Sequence, residues 1–139
     1  MKFRIFCLLL VFGLYSEFSI AQRKMETSLL YVKVSTEESN PYRERVEYCQ
    51  QEYVAWIITN KLVRLEAESR RISLTIINRK FNNSWVGVTE DNKHYLVSLF
   101  TPRKKEGLII LRPIRYPSAQ FIPEEKIFTF SANAKDVCP

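Results

Sequence analysis

The spacing of hydrophobic and polar residues changes at about residue 40. Residues 28 to 35 alternate between two sets of side chains, and this period of two predicts a strand. Asn40 and Pro41 follow, and the pair is typical of a helix start. Asparagine caps the first turn, and proline fits the first helical position because its missing N–H has no partner there anyway.

Residues 41 to about 69 are predicted to form one long helix. A first apolar stripe runs along this helix and contains Val46, Cys49, Tyr53, Trp56, Ile57 and Val63. Charged pairs four residues apart, such as Arg43 and Glu47, are spaced to interact on its solvent side. The alternative is a strand at residues 53 to 59, which are rich in β-branched and aromatic side chains.

A second apolar row lies on a separate face of the predicted helix and consists of Val54, Ile58, Leu62 and Leu65. Four aliphatic side chains in a row exceed what a monomer usually leaves in contact with water. We therefore expect either residues 113 to 123 or a second copy of the chain to cover this row. In the second case the protein is a homodimer through these four residues.

The remainder of the chain has the short, alternating runs of an antiparallel sheet. We predict strands at residues 72–78, 85–89, 94–100, 108–112 and 126–131. Asp91 and Asn92 are the predicted hairpin tip, which places Val86 opposite Val97. The predicted fold class is α+β, with one long helix packed on an antiparallel sheet of about five to six strands.

The first 21 residues have the features of an export signal. Lys2 and Arg4 precede an apolar run over residues 5 to 15, which is too short to span a bilayer. The small residues Ser19 and Ala21 predict cleavage before Gln22. We therefore expect residues 1–21 to be a signal peptide and residues 22–139 to be a single globular domain. The protein would be exported, secreted or periplasmic, without a transmembrane anchor.

Cys49 and Cys138 are the two cysteines that remain after the signal peptide. An exported protein meets an oxidising environment, and an even number of cysteines favours pairing. We predict a Cys49–Cys138 disulfide. It would attach the end of the chain to the rest of the domain.

The chain is basic, with a formal net charge of +6 at pH 7. A possible anion-binding surface comprises Arg103, Lys104, Lys105, Arg112 and Arg115. The competing interpretation is that these charges are solvated and protect strand edges from mispairing. Because the chain has only three glycines, a glycine-rich phosphate loop is excluded, and we expect no cofactor.

His94 is the only histidine, which argues against most zinc sites because catalytic zinc usually has two or three imidazole ligands. No nucleophile elbow of the Gly-x-Ser-x-Gly type occurs. The composition therefore favours a small exported, non-enzymatic binding or interaction domain whose partner is a protein or a polyanion. One alternative is a secreted ribonuclease-like enzyme with His94 as its acid. Another is a polyanion-binding module.

Overall fold

The computed structural model describes residues 25–39, 42–81, 84–100 and 107–138. Within these ranges the chain forms eight strands and one short 3₁₀ turn at Ala134–Asp136. The strands are β1 (Glu26–Ser39), β2 (Tyr42–Ile58), β3 (Leu62–Glu66), β4 (Arg71–Phe81), β5 (Ser84–Val88), β6 (His94–Phe100), β7 (Leu108–Pro113) and β8 (Ile127–Ser131).

The strands form a closed antiparallel barrel in sequence order. Each strand pairs with the next, and β8 returns to pair with β1, where Val32 lies opposite Phe130. The strand β2 is much longer than β3, which pairs with it only from Ala55 to Ile58. A bulge lies in the β1–β2 ladder, where Val34 faces Tyr48 but Ser35 faces Val46.

The core fills the barrel interior because alternate residues of every strand point inward. The cross-strand register aligns these inward residues around the barrel, from Val32 through Phe130 to Ile109. Nine buried hydrophobic side chains form one cluster: Val32, Val54, Val63, Leu65, Leu74, Val97, Ile109, Leu111 and Phe130.

The predicted α+β fold is wrong, because the described residues contain no α-helix and form eight strands instead of five to six. Residues 42 to 66, which were predicted to be helical, form β2 and β3. The alternative prediction of a strand at residues 53 to 59 is correct for most of its length. The strands predicted from residue 72 onward are present with small changes at their ends.

The helix prediction failed because the same residues satisfy two periods. Val54, Trp56 and Ile58 alternate inward along β2, but Val54 and Ile58 are also four residues apart, which is the spacing of one helical face. Arg43 and Glu47, which were expected to pair along a helix, are exposed on the strand β2. Their neighbour Glu44 pairs across the ladder with Lys33 of β1 at 2.6 Å.

The second apolar row of the predicted helix lies mostly inside the barrel. Val54 and Leu65 are completely buried, and Ile58 packs against the core cluster. The barrel wall itself covers these side chains. Homodimerisation through Val54, Ile58, Leu62 and Leu65 was proposed because a helix would have exposed them, and that helix is not present.

The β5–β6 hairpin is shifted by one residue from the predicted register. Val86 lies opposite Leu96, and Gly87 lies opposite Tyr95. The shift arises because Thr89 pairs with Lys93, through the bond from the Thr89 N–H to the Lys93 carbonyl oxygen. A shift of one residue exchanges the two faces of a strand. Tyr95 and Val97 therefore point inward together with Gly87.

The predicted disulfide between Cys49 and Cys138 is confirmed, with their Cα atoms 5.9 Å apart. It joins residues separated by 89 positions and fixes the end of the chain to β2. In the chain-entropy model, closing a loop of this length stabilises the fold by about 4–5 kcal/mol. The predicted signal peptide lies outside the described residues. Within those residues, no helix has the length and hydrophobicity to cross a membrane.

Candidate functional site

An apolar pocket of about 250 Å³ lies at one end of the barrel interior, next to the β2–β3 turn. We call it the mouth pocket. Its walls are inward-pointing apolar side chains from five strands, and two polar residues of the turn stand at its rim. The lining residues are Ile58, Val63, Ile76, Trp85, Val97, Leu99, Thr59 and Asn60.

The β2–β3 turn gives the mouth pocket a fixed rim. The Thr59 hydroxyl oxygen accepts hydrogen bonds from the backbone N–H groups of Lys61 and Leu62, at 3.2 and 3.0 Å. The Ile76 N–H donates to the Lys61 carbonyl oxygen at 2.9 Å, which ties the turn to β4. Asn60 is exposed at the tip of this turn. Its amide is therefore the polar group available to a bound molecule.

The inner limit of the mouth pocket is closely packed around Gly87. A Cβ atom at this position would lie 3.0 Å from Leu74 Cβ and 3.4 Å from Val97 Cγ2. Leu74 is completely buried and belongs to the core cluster. A side chain at position 87 would therefore have to displace the core. The pocket is a recess in the barrel end above a filled interior.

The opposite end of the barrel contains a polar cluster instead of a pocket. Glu52 points inward from β2 and is only 4% exposed. Its carboxylate accepts hydrogen bonds from the Ser69 N–H at 2.7 Å, from the Ser69 hydroxyl at 2.8 Å and from the Tyr48 hydroxyl at 2.8 Å. Ser69 belongs to the β3–β4 turn. Glu52 thus joins β2 to that turn at a level where β3 no longer pairs with β2.

Arg70 completes this cluster. We call Tyr48, Glu52, Ser69 and Arg70 together the plug. The Cζ atom of its guanidinium lies 5.5 Å from the centroid of the Tyr48 ring and 5.5 Å from that of Phe128. Such contacts between a cation and aromatic faces are favourable, more so away from water. Because Phe128 belongs to β8, Arg70 links the β3–β4 turn to the other side of the barrel. The plug therefore occupies this end with specific polar contacts.

Protonation equilibria in the plug follow from these hydrogen bonds. Burial alone would raise the pKa of Glu52, but the hydrogen bonds from Ser69 and Tyr48, together with the Arg70 charge, hold it below its ordinary value. The bond to the Glu52 carboxylate raises the pKa of the Tyr48 hydroxyl, and burial adds to this effect. Glu52 is therefore ionised and Tyr48 neutral at pH 7.

A cleft of about 370 Å³ lies on the outer surface near the plug end. We call it the outer cleft. Arg112 points outward from β7 into it and pairs with Glu37 of β1 at 3.2 Å. The Arg112 guanidinium also lies over the Phe121 ring, with 5.0 Å from Cζ to the centroid. Glu38, Arg115, Gln120, Ile122 and Pro123 also line the cleft.

The segment between β7 and β8 folds back on itself and forms one wall of the outer cleft. Ile114 and Phe121 form an isolated β-bridge, and the Arg115 N–H donates to the Gln120 carbonyl oxygen at 2.9 Å. Further along, the Glu124 N–H donates to the Glu37 carbonyl oxygen at 3.2 Å. These bonds attach the segment to itself and to β1. The cleft is therefore held in shape by backbone hydrogen bonds.

The structure brings together two of the five predicted anion-binding residues. Arg112 and Arg115 both line the outer cleft, whereas residues 103 to 105 lie outside the described ranges. Glu37 offsets the charge of Arg112, which lowers the positive potential that a polyanion would meet. The sequence did not indicate this pairing because Glu37 and Arg112 are 75 residues apart.

His94 stands at the start of β6, and its ring stacks on Tyr116 with 4.5 Å between centroids. No hydrogen bond or ion pair joins its imidazole to a carboxylate in the part of the chain that the structure describes. The same ranges contain no group of three or more His, Cys, Asp or Glu residues placed to hold a metal ion. His94 therefore has an aromatic neighbour but no described catalytic partner.

The mouth pocket and the plug were both missed at the sequence level. Trp85 and Ile76 line the pocket, but only the curvature of the barrel arranges the five consecutive strands β2 to β6 around one opening. Glu52 lies two residues before the apolar Val54, but Gln50 at the same spacing on its other side is polar. The alternation around Glu52 was therefore too weak to indicate an inward acid.

No family model matches the chain. The searches of curated proteins and of solved structures also return no similar protein. The geometry of the barrel, its pocket and its cleft is therefore the basis for assigning a function.

Proposed function

We propose that the protein is an exported binding protein that holds a small, largely apolar molecule in the mouth pocket. One observation carries the proposal: the inward side chains at one barrel end leave an apolar recess, while those at the other end meet in the plug. Small-ligand sites are typically concave and apolar with a few fixed polar groups. The mouth pocket has this composition.

The architecture supports the same proposal. A barrel of eight strands has an interior just wide enough to be filled by side chains or to hold one small ligand. Here the interior is filled at the level of Leu74 and Gly87 and recessed beyond it. A bound molecule would enter from the end without displacing the core. This favours a compact ligand over a long chain that would need the whole barrel.

The rim indicates how such a ligand would be oriented. Val63 and Val97 are buried at the inner end of the pocket, whereas Asn60 is exposed at its outer end. An apolar body would lie among the valines and isoleucines, and a single hydroxyl or carbonyl group would meet the Asn60 amide. A second polar group at the inner end would lose its hydrogen bonds to water without replacement.

Calorimetric titration with 1-octanol and 1,8-octanediol tests this orientation. We expect 1-octanol to bind and the diol to bind about tenfold or more weakly, because its second hydroxyl is buried without a partner. A blue shift of the Trp85 fluorescence emission should report the same site, and the Trp85→Phe variant separates this signal from that of Trp56. Equal affinity for the two alcohols, or absence of 1-octanol binding at millimolar concentration, would contradict the proposal.

A pocket-filling substitution provides the control. Ile76→Phe places extra atoms in the mouth pocket and should lower the affinity for 1-octanol about tenfold or more. Leu29→Phe adds the same ring on the exposed outer face of β1 and should leave binding unchanged. Both variants should melt close to the wild-type temperature, since neither site is fully packed. Retained affinity in Ile76→Phe would argue against the pocket as the binding site.

Export is part of the proposal and is supported by the Cys49–Cys138 disulfide, since such bonds persist in oxidising compartments. Whether the protein is secreted or remains in a periplasm follows from where it is recovered. Mass spectrometry of the exported protein should find an N-terminus at Gln22. A mature protein that retains Lys2 would contradict the predicted cleavage.

A further inference from the structure

We propose that the outer cleft is a second binding site, and that its ligand is a small zwitterion with an apolar side chain, such as a free amino acid or a short peptide. This site lies on the outer surface near the plug end and shares no lining residue with the mouth pocket. The inference is therefore independent of the function proposed above. It rests on the charges, the aromatic surface and the rigidity of the cleft.

The charges of the outer cleft are two acids and two bases. Arg112 and Glu37 compensate each other at 3.2 Å. Within the described residues, Glu38 and Arg115 have no side-chain hydrogen bond or ion pair, so each is available to a ligand. A polyanion would meet the Glu38 carboxylate, and a simple cation would meet Arg115. A molecule with both an ammonium and a carboxylate group carries a partner for each of these two charges.

The apolar part of the cleft gives the ligand a place for its side chain. Phe121 remains 44% exposed although Arg112 lies over its ring. Ile122 and Pro123 continue this surface along the same wall. An aromatic or branched side chain could pack here and remove apolar area from water. The cleft therefore combines two charges that have no partner among the described residues with an adjoining apolar surface.

The cleft is already in shape without a ligand. The bond between the Arg115 N–H and the Gln120 carbonyl oxygen sets the fold of the wall, and the Glu124 N–H fixes that wall to Glu37. Glu37 also holds the Arg112 guanidinium in place over Phe121. Binding would therefore cost little conformational entropy in these groups, which favours measurable affinity for a small molecule.

Isothermal titration with L-phenylalanine and the dipeptide Phe-Leu tests the proposal. The compound that binds more tightly shows whether the cleft prefers a free amino acid or a peptide. Each is compared with a form that lacks one charge: 3-phenylpropionate and phenethylamine for the amino acid, N-acetyl-Phe-Leu and Phe-Leu amide for the dipeptide. We expect one zwitterion to bind at least about tenfold more tightly than either of its singly charged forms. Saturation with 1-octanol should leave this affinity unchanged.

Two charge variants locate the site. Glu38→Gln should remove the advantage of the zwitterion over the anionic form, and Arg115→Gln should remove its advantage over the cationic form. Arg64→Gln and Glu68→Gln are controls, because both residues are exposed and neither lines the cleft. All four are surface changes, and circular dichroism should show intact barrels.

The proposal is overturned if neither zwitterion binds at millimolar concentration, or if the singly charged forms bind equally well. It is also overturned if both cleft variants behave like the controls. Failure of 1-octanol binding together with retained zwitterion binding would contradict only the mouth pocket.

Discussion

The two ends of the barrel are built by the same strands but differ in what their inward side chains do. At the plug end, Glu52, Tyr48 and Arg70 meet through hydrogen bonds and ring contacts. At the mouth, Ile76 and Trp85 border a recess. Directional polar contacts fix the atoms that make them, whereas apolar contacts need close packing to contribute. We therefore expect one end to stabilise the fold and the other to bind.

The largest expected effect is on the free energy of unfolding, and it should differ between two neighbouring inward residues of β4. Leu74→Ala should lower the free energy of unfolding by about 3–5 kcal/mol, because it leaves a cavity in a fully packed core. Ile76→Ala should cost about half as much, since Ile76 already borders the mouth pocket. Urea unfolding of both variants measures the difference. Equal losses would mean that the mouth is packed as tightly as the core.

At the plug end, Glu52→Ala should lower the free energy of unfolding by about 3 kcal/mol, because it leaves the Ser69 N–H and the Tyr48 hydroxyl without their acceptor. Glu68→Ala, an exposed neighbour in the same turn region, should change it by less than about 0.5 kcal/mol. The same urea titrations apply. A loss below about 1 kcal/mol in Glu52→Ala would show that the plug is not a stabilising unit.

Replacement by alanine should have different effects on stability at the glycine in β5 and at the glycine just before β7. Gly87→Ala should cost about 1–3 kcal/mol, because its new Cβ atom would lie 3.0 Å from Leu74 Cβ. A Cβ atom at Gly107 would meet nothing within 4 Å, so Gly107→Ala should be neutral within about 0.5 kcal/mol. Thermal unfolding of the pair measures the contrast. Similar melting temperatures would indicate that the barrel interior is loosely packed at β5.

The smallest effect should be a pH dependence from the plug. The pKa of Glu52 is lowered in the fold from its ordinary 4.5, so its contribution is fully present above that value. It is lost as the pH falls through the lower, folded pKa. We expect the wild type to lose stability more steeply than Glu52→Gln between pH 6 and pH 3. Parallel curves for the two proteins would show that Glu52 does not titrate differently in the fold.

The strands of the second half of the chain could be predicted because they are short and alternate between turn residues. The strand β2 could not, because its 17 residues exceed the usual length of a strand and carry charges at helical spacing. One register error in the β5–β6 hairpin exchanged the faces of Gly87 and Val86. The two failures have different causes. The β2 strand depends on partners that are distant in sequence, whereas the hairpin register was decided within one turn, by the bond from the Thr89 N–H to the Lys93 carbonyl oxygen.

The candidate sites were predictable only in part. The Cys49–Cys138 disulfide followed from the cysteine count and the predicted export, whereas the mouth pocket depends on how strands β2 to β6 curve into a barrel. Arg112 and Arg115 were identified by charge, but charge alone did not reveal that Glu37 neutralises one of them. The plug required knowing that Glu52 points inward from a strand.

The overhang of β2 beyond β3 has a consequence for behaviour at high concentration. Between residues 43 and 54, one edge of β2 has no backbone partner among the described residues. Such an edge can template the addition of a strand from another molecule, which is the first step towards fibrils. Here Arg43, Glu44 and Arg45 are exposed along the edge, and the bulge beside Val46 interrupts its regular hydrogen-bonding geometry. Charged residues and bulges of this kind are the features that oppose strand addition at an open edge, here along the longest strand of the barrel.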